Sequence, residues 1–325
     1  MSIEKLPSGS YRAQKMYKGV RYRITFDHKP TEKELTIAFA EKMQDNTGER
    51  GSFEKYANEY IENRRNVTSP STVRTYKTKI KQLSDSFKAK NLYDITGEDV
   101  QKEINTFSLD HEPKTVASLH GFVASVMGVY RPNFVLRTKL PQKIIKDRYL
   151  PSEEDIKAIL DASKGTEDSI AFQLGILSLR RSEICALTMD DLQGNELHIH
   201  RNLVYNEHNK WVVKDTPKTD ASNRKIYLPD SLVEEIKEQG YFFKYTPKKL
   251  NEHLHKYQKA LNIQPFRFHD LRHYFASYAH SMGIPDADIM AIGGWQTDNV
   301  MKRVYRKSLE DSKKKSMEKL NNAMF

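Results

Sequence analysis

The sequence predicts a multidomain chain. A small β-rich N-terminal module is followed by an all-α module and then by an α+β, mainly helical domain with a small antiparallel sheet. Three observations carry this reading. At 325 residues the chain exceeds one average domain. Its apolar spacing changes from alternation in residues 10–26, to a helical period across 52–140, to a mixture of both after 149. Its net positive charge is concentrated in the first two parts. The formal net charge of +10 divides into +3 over residues 1–50, +6 over 51–148 and only +1 over 149–325.

The N-terminal module occupies residues 1–50. Tyr11, Tyr17, Tyr22, Ile24 and Phe26 are strand formers, and Lys18-Gly19 offers a turn, so 10–26 reads as a hairpin. Arg12, Lys15, Arg21 and Arg23 interleave with the aromatics, and a β-ribbon with a basic face can enter a DNA groove. Pro30-Thr31 opens a helix with Leu35, Ile37, Ala38 and Met43 as candidate packing residues, closed by Asp45-Asn46-Thr47-Gly48.

Residues 52–140 read as four short helices. Phe53, Tyr56, Ala57, Tyr60 and Ile61 recur at helical spacing. A second helix is capped at Ser69-Pro70 and carries Tyr76, Ile80 and Leu83 on one side, with Arg74, Lys77 and Lys81 on the other. The third runs from Ile95-Thr96-Gly97 to Phe107, and the fourth from Lys114 to Tyr130. Residues 141–148 form the linker into a C-terminal domain of 149–325.

That domain starts a helix at Ser152-Glu153-Glu154, with acids in the first turn. A helix ending near Leu179 and one from about Arg180 to Leu187 precede strands near 196–204, 210–214 and 223–228. Helices follow at about 230–239, 247–261, 269–282, 286–292 and 298–306.

Composition excludes several classes. Seventeen Tyr and fourteen Phe supply the bulk a disordered chain lacks. The single cysteine, Cys185, excludes an intramolecular disulfide framework and a multi-cysteine zinc site, and suits a reducing, cytoplasmic setting. The N-terminus, MSIEKLPSGS, has no apolar core of signal-peptide length. The uncharged stretch Thr115–Tyr130 is shorter than the roughly 20 residues of a spanning helix, so no membrane partner is expected. Within the basic parts, 5–29 holds seven basic residues and one acid, and 64–90 holds eight and one. Such clustering suits a polyanion bound through its phosphates.

Four signals stand in the C-terminal domain. In Ser178-Leu179-Arg180-Arg181-Ser182-Glu183, Arg180 and Glu183 share a helix face, so a carboxylate can orient a guanidinium. Lys218 lies in a hairpin connection, followed by Asn223-Arg224-Lys225-Ile226. His269 and Arg272 share a face of the next signal, His269-Asp270-Leu271-Arg272-His273. His269 and His273 stand four apart, but Asp270 replaces the Glu of a zinc helix and no third ligand is evident, so a metal reading fails. His273 faces the apolar side and reads as a buried structural histidine. Finally Gly293-Gly294-Trp295 is followed ten residues on by Tyr305.

Taken together, the order and spacing of these signals resemble the catalytic domain of the tyrosine recombinases, in particular phage and conjugative-transposon integrases. The resemblance covers roughly 149–310 through motifs. It extends more weakly to 52–140 as a core-site-binding domain and to 1–50 as an arm-site-binding domain. It implies an active-site set of Arg180, Lys218, His269, Arg272, Trp295 and the nucleophile Tyr305, with Glu183 supporting Arg180. Two positions depart from the family pattern. Ser178 stands where a Gly usually precedes the first motif, and Trp295 stands where most integrases have His. An indole N–H can donate but cannot exchange protons.

The chemistry so implied is strand cleavage by transesterification through a 3′-phosphotyrosyl link, with bond energy conserved and no ATP, metal or other cofactor required. Arg180 and Arg272 would neutralise the phosphorane, aided by the Trp295 N–H. His269 would assist proton removal from Tyr305, and Lys218 would protonate the 5′-oxygen. The implied partners are double-stranded DNA at core and arm sites and a homotetramer on that DNA, with a host DNA-bending protein and an excision factor as further candidates. Two other readings are a type IB topoisomerase-like relaxing enzyme and a non-catalytic DNA-binding regulator. The second predicts that Tyr305→Phe leaves function intact.

Overall fold

A computed structural model describes residues 1–17, 20–44, 51–143, 149–215, 223–297, 317, 321, 322 and 324. The chain divides into two compact units, Met1–Ile145 and Lys146–Phe325. The turn at Lys18-Gly19, the helix stop at 45–48, Lys218, Tyr305 and the helix expected at 298–306 lie outside the described residues.

The first unit opens with three antiparallel strands, β1 (Ser2–Lys5), β2 (Tyr11–Tyr17) and β3 (Val20–Phe26), in the order β1-β2-β3: β2 and β3 pair over the expected hairpin, and β1 adds a third strand. Ala13, Tyr22, Ile24 and Phe26 form one face and pack with Leu35 and Phe39 of α1 (Glu32–Gln44). Ile37, expected to pack, is exposed, because the inward row of α1 runs through Leu35 and Phe39, one turn apart. Register corrects the basic face. Arg12 opposes Thr25, Arg23 opposes Gln14 and Arg21 opposes Met16, so these three arginines share the sheet face away from α1. Lys15 opposes Tyr22 and belongs to the other face.

The helices that follow are α2 (Phe53–Glu62), α3 (Pro70–Gln82), the short α4 (Asp85–Ala89), α5 (Gly97–Ser108) and α6 (Pro113–Tyr130). Ser52, Ser84 and Thr96 cap α2, α4 and α5 through their hydroxyls. Their core gathers Phe53, Tyr60, Val73, Ile80, Leu119 and Phe122. On α3, Arg74 and Lys81 are exposed and Lys77 is half-buried, whereas Lys79 turns inward and burial pushes its pKa down. Among the described residues no helix is long and apolar enough to cross a membrane.

The second unit begins at a capping box, Ser152 with Asp155, which starts α7 (Glu153–Ser163). Then come α8 (Ser169–Ile176) and α9 (Arg181–Ile184), a single turn where a longer helix was expected. Strands β4 (Leu192–Gln193), β5 (Glu196–Ile199), β6 (Asn202–Tyr205), β7 (Trp211–Lys214) and β8 (Arg224–Tyr227) make two small antiparallel sheets, β4-β5-β8 and β6-β7. Helices α10 (Asp230–Gln239), α11 (Pro247–Ala260), α12 (Phe268–Ser281) and α13 (Asp286–Gly293) complete the described elements.

The contact that positions the site is α8 against α12. A Cβ on Gly175 would come within 2.6 Å of Phe268 Cζ and 2.9 Å of Leu271 Cδ1, so only glycine permits this approach. Phe172, Leu174, Phe268 and Leu271 bury in one core there. Four fully buried side chains of this kind contribute roughly 1.5–3 kcal/mol each, which fixes the start of α12 against the end of α8.

Candidate active site

The site is built on the ends of helices. Helix α8 stops at Ser178, whose φ of 79° is left-handed. Its N–H donates to Gly175 O at 3.1 Å and that of Leu179 reaches back to Leu174 O at 3.0 Å. Glycine usually occupies such a position. The reversal sinks Leu179 into the core and brings Arg180 to the head of α9.

Arg272, one of the largest fully buried side chains, comes from α12. Its Nη1 donates to Ser178 O at 2.7 Å and to Ser178 Oγ at 3.1 Å. Its guanidinium lies 3.8 Å over the Trp295 ring. Its Nη2 is buried and has no hydrogen-bond partner among the described residues. Burial, then the charges of Arg180 and Arg224, pull its pKa well below the arginine range, while Glu183 opposes the shift.

Glu183 is buried and shared. Arg180 donates to it twice, from its backbone N–H to Oε2 at 2.9 Å and from Nη1 to Oε1 at 2.5 Å. Arg224 of β8 reaches the same carboxylate, Nη2 to Oε2 at 3.0 Å and Nη1 to Oε1 at 3.4 Å. Burial alone would raise the Glu183 carboxyl, but Arg224 and Arg180 overcome it and hold the group below the usual carboxylate range.

One carboxylate serves two guanidinium groups, those of Arg180 and Arg224, with a third, Arg272, beside them, and carbonyls at helix C-termini supply the remaining acceptors. Arg180 Nη2 donates to Gly294 O at 3.0 Å and Arg224 Nε to Ile292 O at 2.8 Å, both at the end of α13. Arg272 meets the end of α8 at Ser178 O. The negative end of a helix stabilises a cation there without neutralising it. Among the described residues the cluster keeps surplus positive charge and an unoccupied buried donor, Arg272 Nη2, which suits a phosphodiester oxygen.

His269 stands one turn before Arg272 and lines, with Arg180, Arg181, Ser182, Asn251 and Arg267, a cleft of about 390 Å³. Although its outer side is exposed, the protein packed round the rest of the ring, then His273 and Arg272, push its pKa down to about 4. It is therefore neutral at pH 7 and able to accept a proton. His273 is half-buried, and its ring meets that of His269 edge-on at 4.8 Å. The expected fully buried histidine is instead a neighbour of the site, because α12 turns this position along the His269 side of the helix.

The fold thus brings Arg180, Glu183, His269, Arg272 and Trp295 together; Lys218 and Tyr305 lie outside the described residues. Trp295 packs with Ala276, Ala279 and Ile289 beneath Arg272. Sequence reasoning missed Arg224. The available signal was its alternation with Ile226 and Leu228, which face inward.

Residues 151–311 match the phage integrase family, and residues 52–108 match the phage integrase N-terminal SAM-like domain. A XerC-like tyrosine recombinase of Caldanaerobacter subterraneus subsp. tengcongensis is 25% identical over 208 residues, 53% of either chain. The integrase of Salmonella phage P22 is 40% identical over 45 residues, 14% of this chain and 12% of its own. The chain thus spans about half or less of the curated relatives it matches. Among solved structures, a Tn1549 transposon integrase in complex with transposon right-end DNA superposes with a TM-score of 0.65 at 16% identity, covering 83% of this chain and 99% of that one. A lambda integrase tetramer bound to a Holliday junction gives 0.60 at 13% identity, covering 91% and 96%. At such identities the likeness is one of fold. With both integrase regions matched along the sequence and the fold shared, the chain belongs to the phage integrase family of tyrosine recombinases.

Proposed function

We propose that the protein is a site-specific DNA recombinase, an integrase that cuts and rejoins duplex DNA to integrate or excise a mobile element. The observation that carries this reading is the buried Arg272 Nη2, which has no partner among the described residues and lies in a cluster with Arg180 and an adjoining neutral His269. In the proposed step the Tyr305 phenol oxygen bonds to the scissile phosphorus and the bond to the 5′-oxygen breaks. The phenol proton passes to His269, and Lys218 gives a proton to the departing oxygen. Arg180 and Arg272 hold the non-bridging oxygens, where charge builds up. A second strand's 5′-hydroxyl reverses the step.

In this reading residues 149–325 are the catalytic domain and 52–140 bind the core site, with Arg74, Lys77 and Lys81 on phosphates. Residues 1–50 bind the arm site through Arg12, Arg21 and Arg23, with Lys15 on the sheet's other side. The DNA complexes of the Tn1549 and lambda integrases support a duplex partner, and the lambda tetramer supports four-subunit assembly on paired sites. A host DNA-bending protein and an excision factor would assist in the cytoplasm.

The test is a library of nicked suicide duplexes, denatured in SDS after incubation with the protein. An adduct should form on a defined sequence and vanish with Tyr305→Phe. Persistence in that variant would sink the nucleophile assignment.

A further inference from the structure

Arg224 belongs to none of the roles assigned above, yet it joins Glu183 to the end of α13 through three side-chain hydrogen bonds. It is buried, its Nη1 and Nη2 straddle both oxygens of Glu183, and its Nε holds Ile292 O. Arg180 grips the same two structures, Glu183 and the α13 end, two residues further on at Gly294 O. The two arginines therefore form parallel struts between one carboxylate and one helix terminus. That terminus leads into Trp295, the ring under Arg272. In sequence, Arg224 stands six residues after Lys218, and Gly294 eleven before Tyr305.

We infer that Arg224 is a positioning residue for the reaction: by sharing Glu183 and holding Ile292 O, it fixes the Arg180 guanidinium against the α13 terminus in the orientation that grips the scissile phosphate. The reasoning is geometric. With Arg224 absent, Glu183 has one guanidinium to serve and can close more fully on Arg180, covering donors that the phosphate needs. The α13 end also loses one of its two clamps, so Trp295 and Arg272 lose their fixed distance from Arg180. A shared buried carboxylate avoids both, because neither guanidinium is neutralised by it alone.

This inference rests on the recombinase reading, and the experiment separates the two. The probe is the nicked duplex whose sequence is trapped by the wild-type protein, used in single-turnover cleavage. Arg224→Met should lower the cleavage rate constant at saturating duplex by roughly 10–100-fold, the scale of a small misplacement of catalytic groups. The adduct amplitude and the half-saturating duplex concentration should stay within about twofold of wild type. Arg224→Lys, which keeps the charge but cannot straddle Glu183 and also reach Ile292 O, should recover only part of the rate. In an Arg180→Lys background, Arg224→Met should cost less than about threefold, because the group it positions is already altered. A merely structural role predicts lost amplitude with an unchanged rate constant, and the full penalty in both backgrounds; either result overturns the inference while leaving the recombinase reading intact. If Arg224→Met does not fold, Arg224→Lys carries the same comparison. A wild-type protein that traps no duplex sinks the function and this inference together.

Discussion

The Arg272 guanidinium rests face-on over Trp295, 3.8 Å from the ring centre. An aromatic face stabilises a cation without removing its charge, by up to about 2 kcal/mol when the pair is out of water. The cation stays available to a phosphate, and its Nη2 is left for one. Trp295→Phe should keep a weaker version of this seat and Trp295→Ala none. The expected loss in single-turnover cleavage is roughly 30-fold for Ala, the rate equivalent of about 2 kcal/mol, and less for Phe. Equal rates for the three proteins would show that the ring does nothing for Arg272.

The seat depends on a residue with no side chain. A Cβ on Gly293 would fall 1.8 Å from Cζ3 and 2.2 Å from Cε3 of Trp295. The ring must move for anything larger to fit. Gly293→Ala should therefore reproduce the cleavage defect of Trp295→Ala. Because the overlap is released by a shift of the ring, its stability cost should lie near the 1–3 kcal/mol typical of overpacking. Thermal melting alongside cleavage checks both halves of the expectation.

Much of this site was legible in the sequence because its residues lie in short motifs whose spacing survives folding. Arg180 and Glu183 fall three apart and meet directly; His269 and Arg272, also three apart, stand one turn from each other on α12. What spacing could not give was any contact between distant segments. Arg224 reaches Glu183 across 41 positions and Arg272 reaches Ser178 across 94. An arginine at an inward strand position requires a buried acceptor, and that requirement alone could have singled out Arg224. The basic strand residues failed for a different reason. Alternation divides Lys15 from Arg12 and needs the register to reveal it. Ile37 failed because an apolar residue marks a helix face only when its neighbours one turn away agree.

Ser178 stands in a conformation that favours glycine, and its side chain makes good part of the cost. The left-handed backbone is unfavourable for serine by about 1 kcal/mol relative to glycine, and the Oγ accepts from Arg272 Nη1. Ser178→Gly should relax the backbone and remove the acceptor, with a net stability change within about 1 kcal/mol. Ser178→Ala keeps the strain and loses the acceptor, so it should be the less stable of the two, by roughly 1 kcal/mol or more. Denaturant midpoints at equal slope decide it. An alanine variant as stable as the glycine variant would mean that the left-handed backbone costs a side chain nothing here, and one as stable as wild type that the hydroxyl does not hold Arg272.

His269 gives the protein a defined response to acid. In the unfolded chain an imidazole titrates near 6.5; in the fold, burial, His273 and Arg272 lower this ring to about 4. Between those values the unfolded chain takes up a proton that the folded one does not. Acid therefore favours unfolding across that window, and this group's contribution to stability is fully present above 6.5 and lost as pH falls toward 4. The wild-type melting temperature should drop more steeply between pH 6.5 and 4 than that of His269→Gln, and the two should run parallel above 7. A bound phosphodiester places an anion beside the ring and raises its pKa, so saturating duplex should narrow the difference. Cleavage at subsaturating duplex reports the free protein. If His269 takes the Tyr305 proton, that rate should show no acid limb near 6.5 and begin to fall only as the pH approaches 4. A limb centred at 6.5 that disappears in His269→Gln would show that the ring is not held neutral by its surroundings.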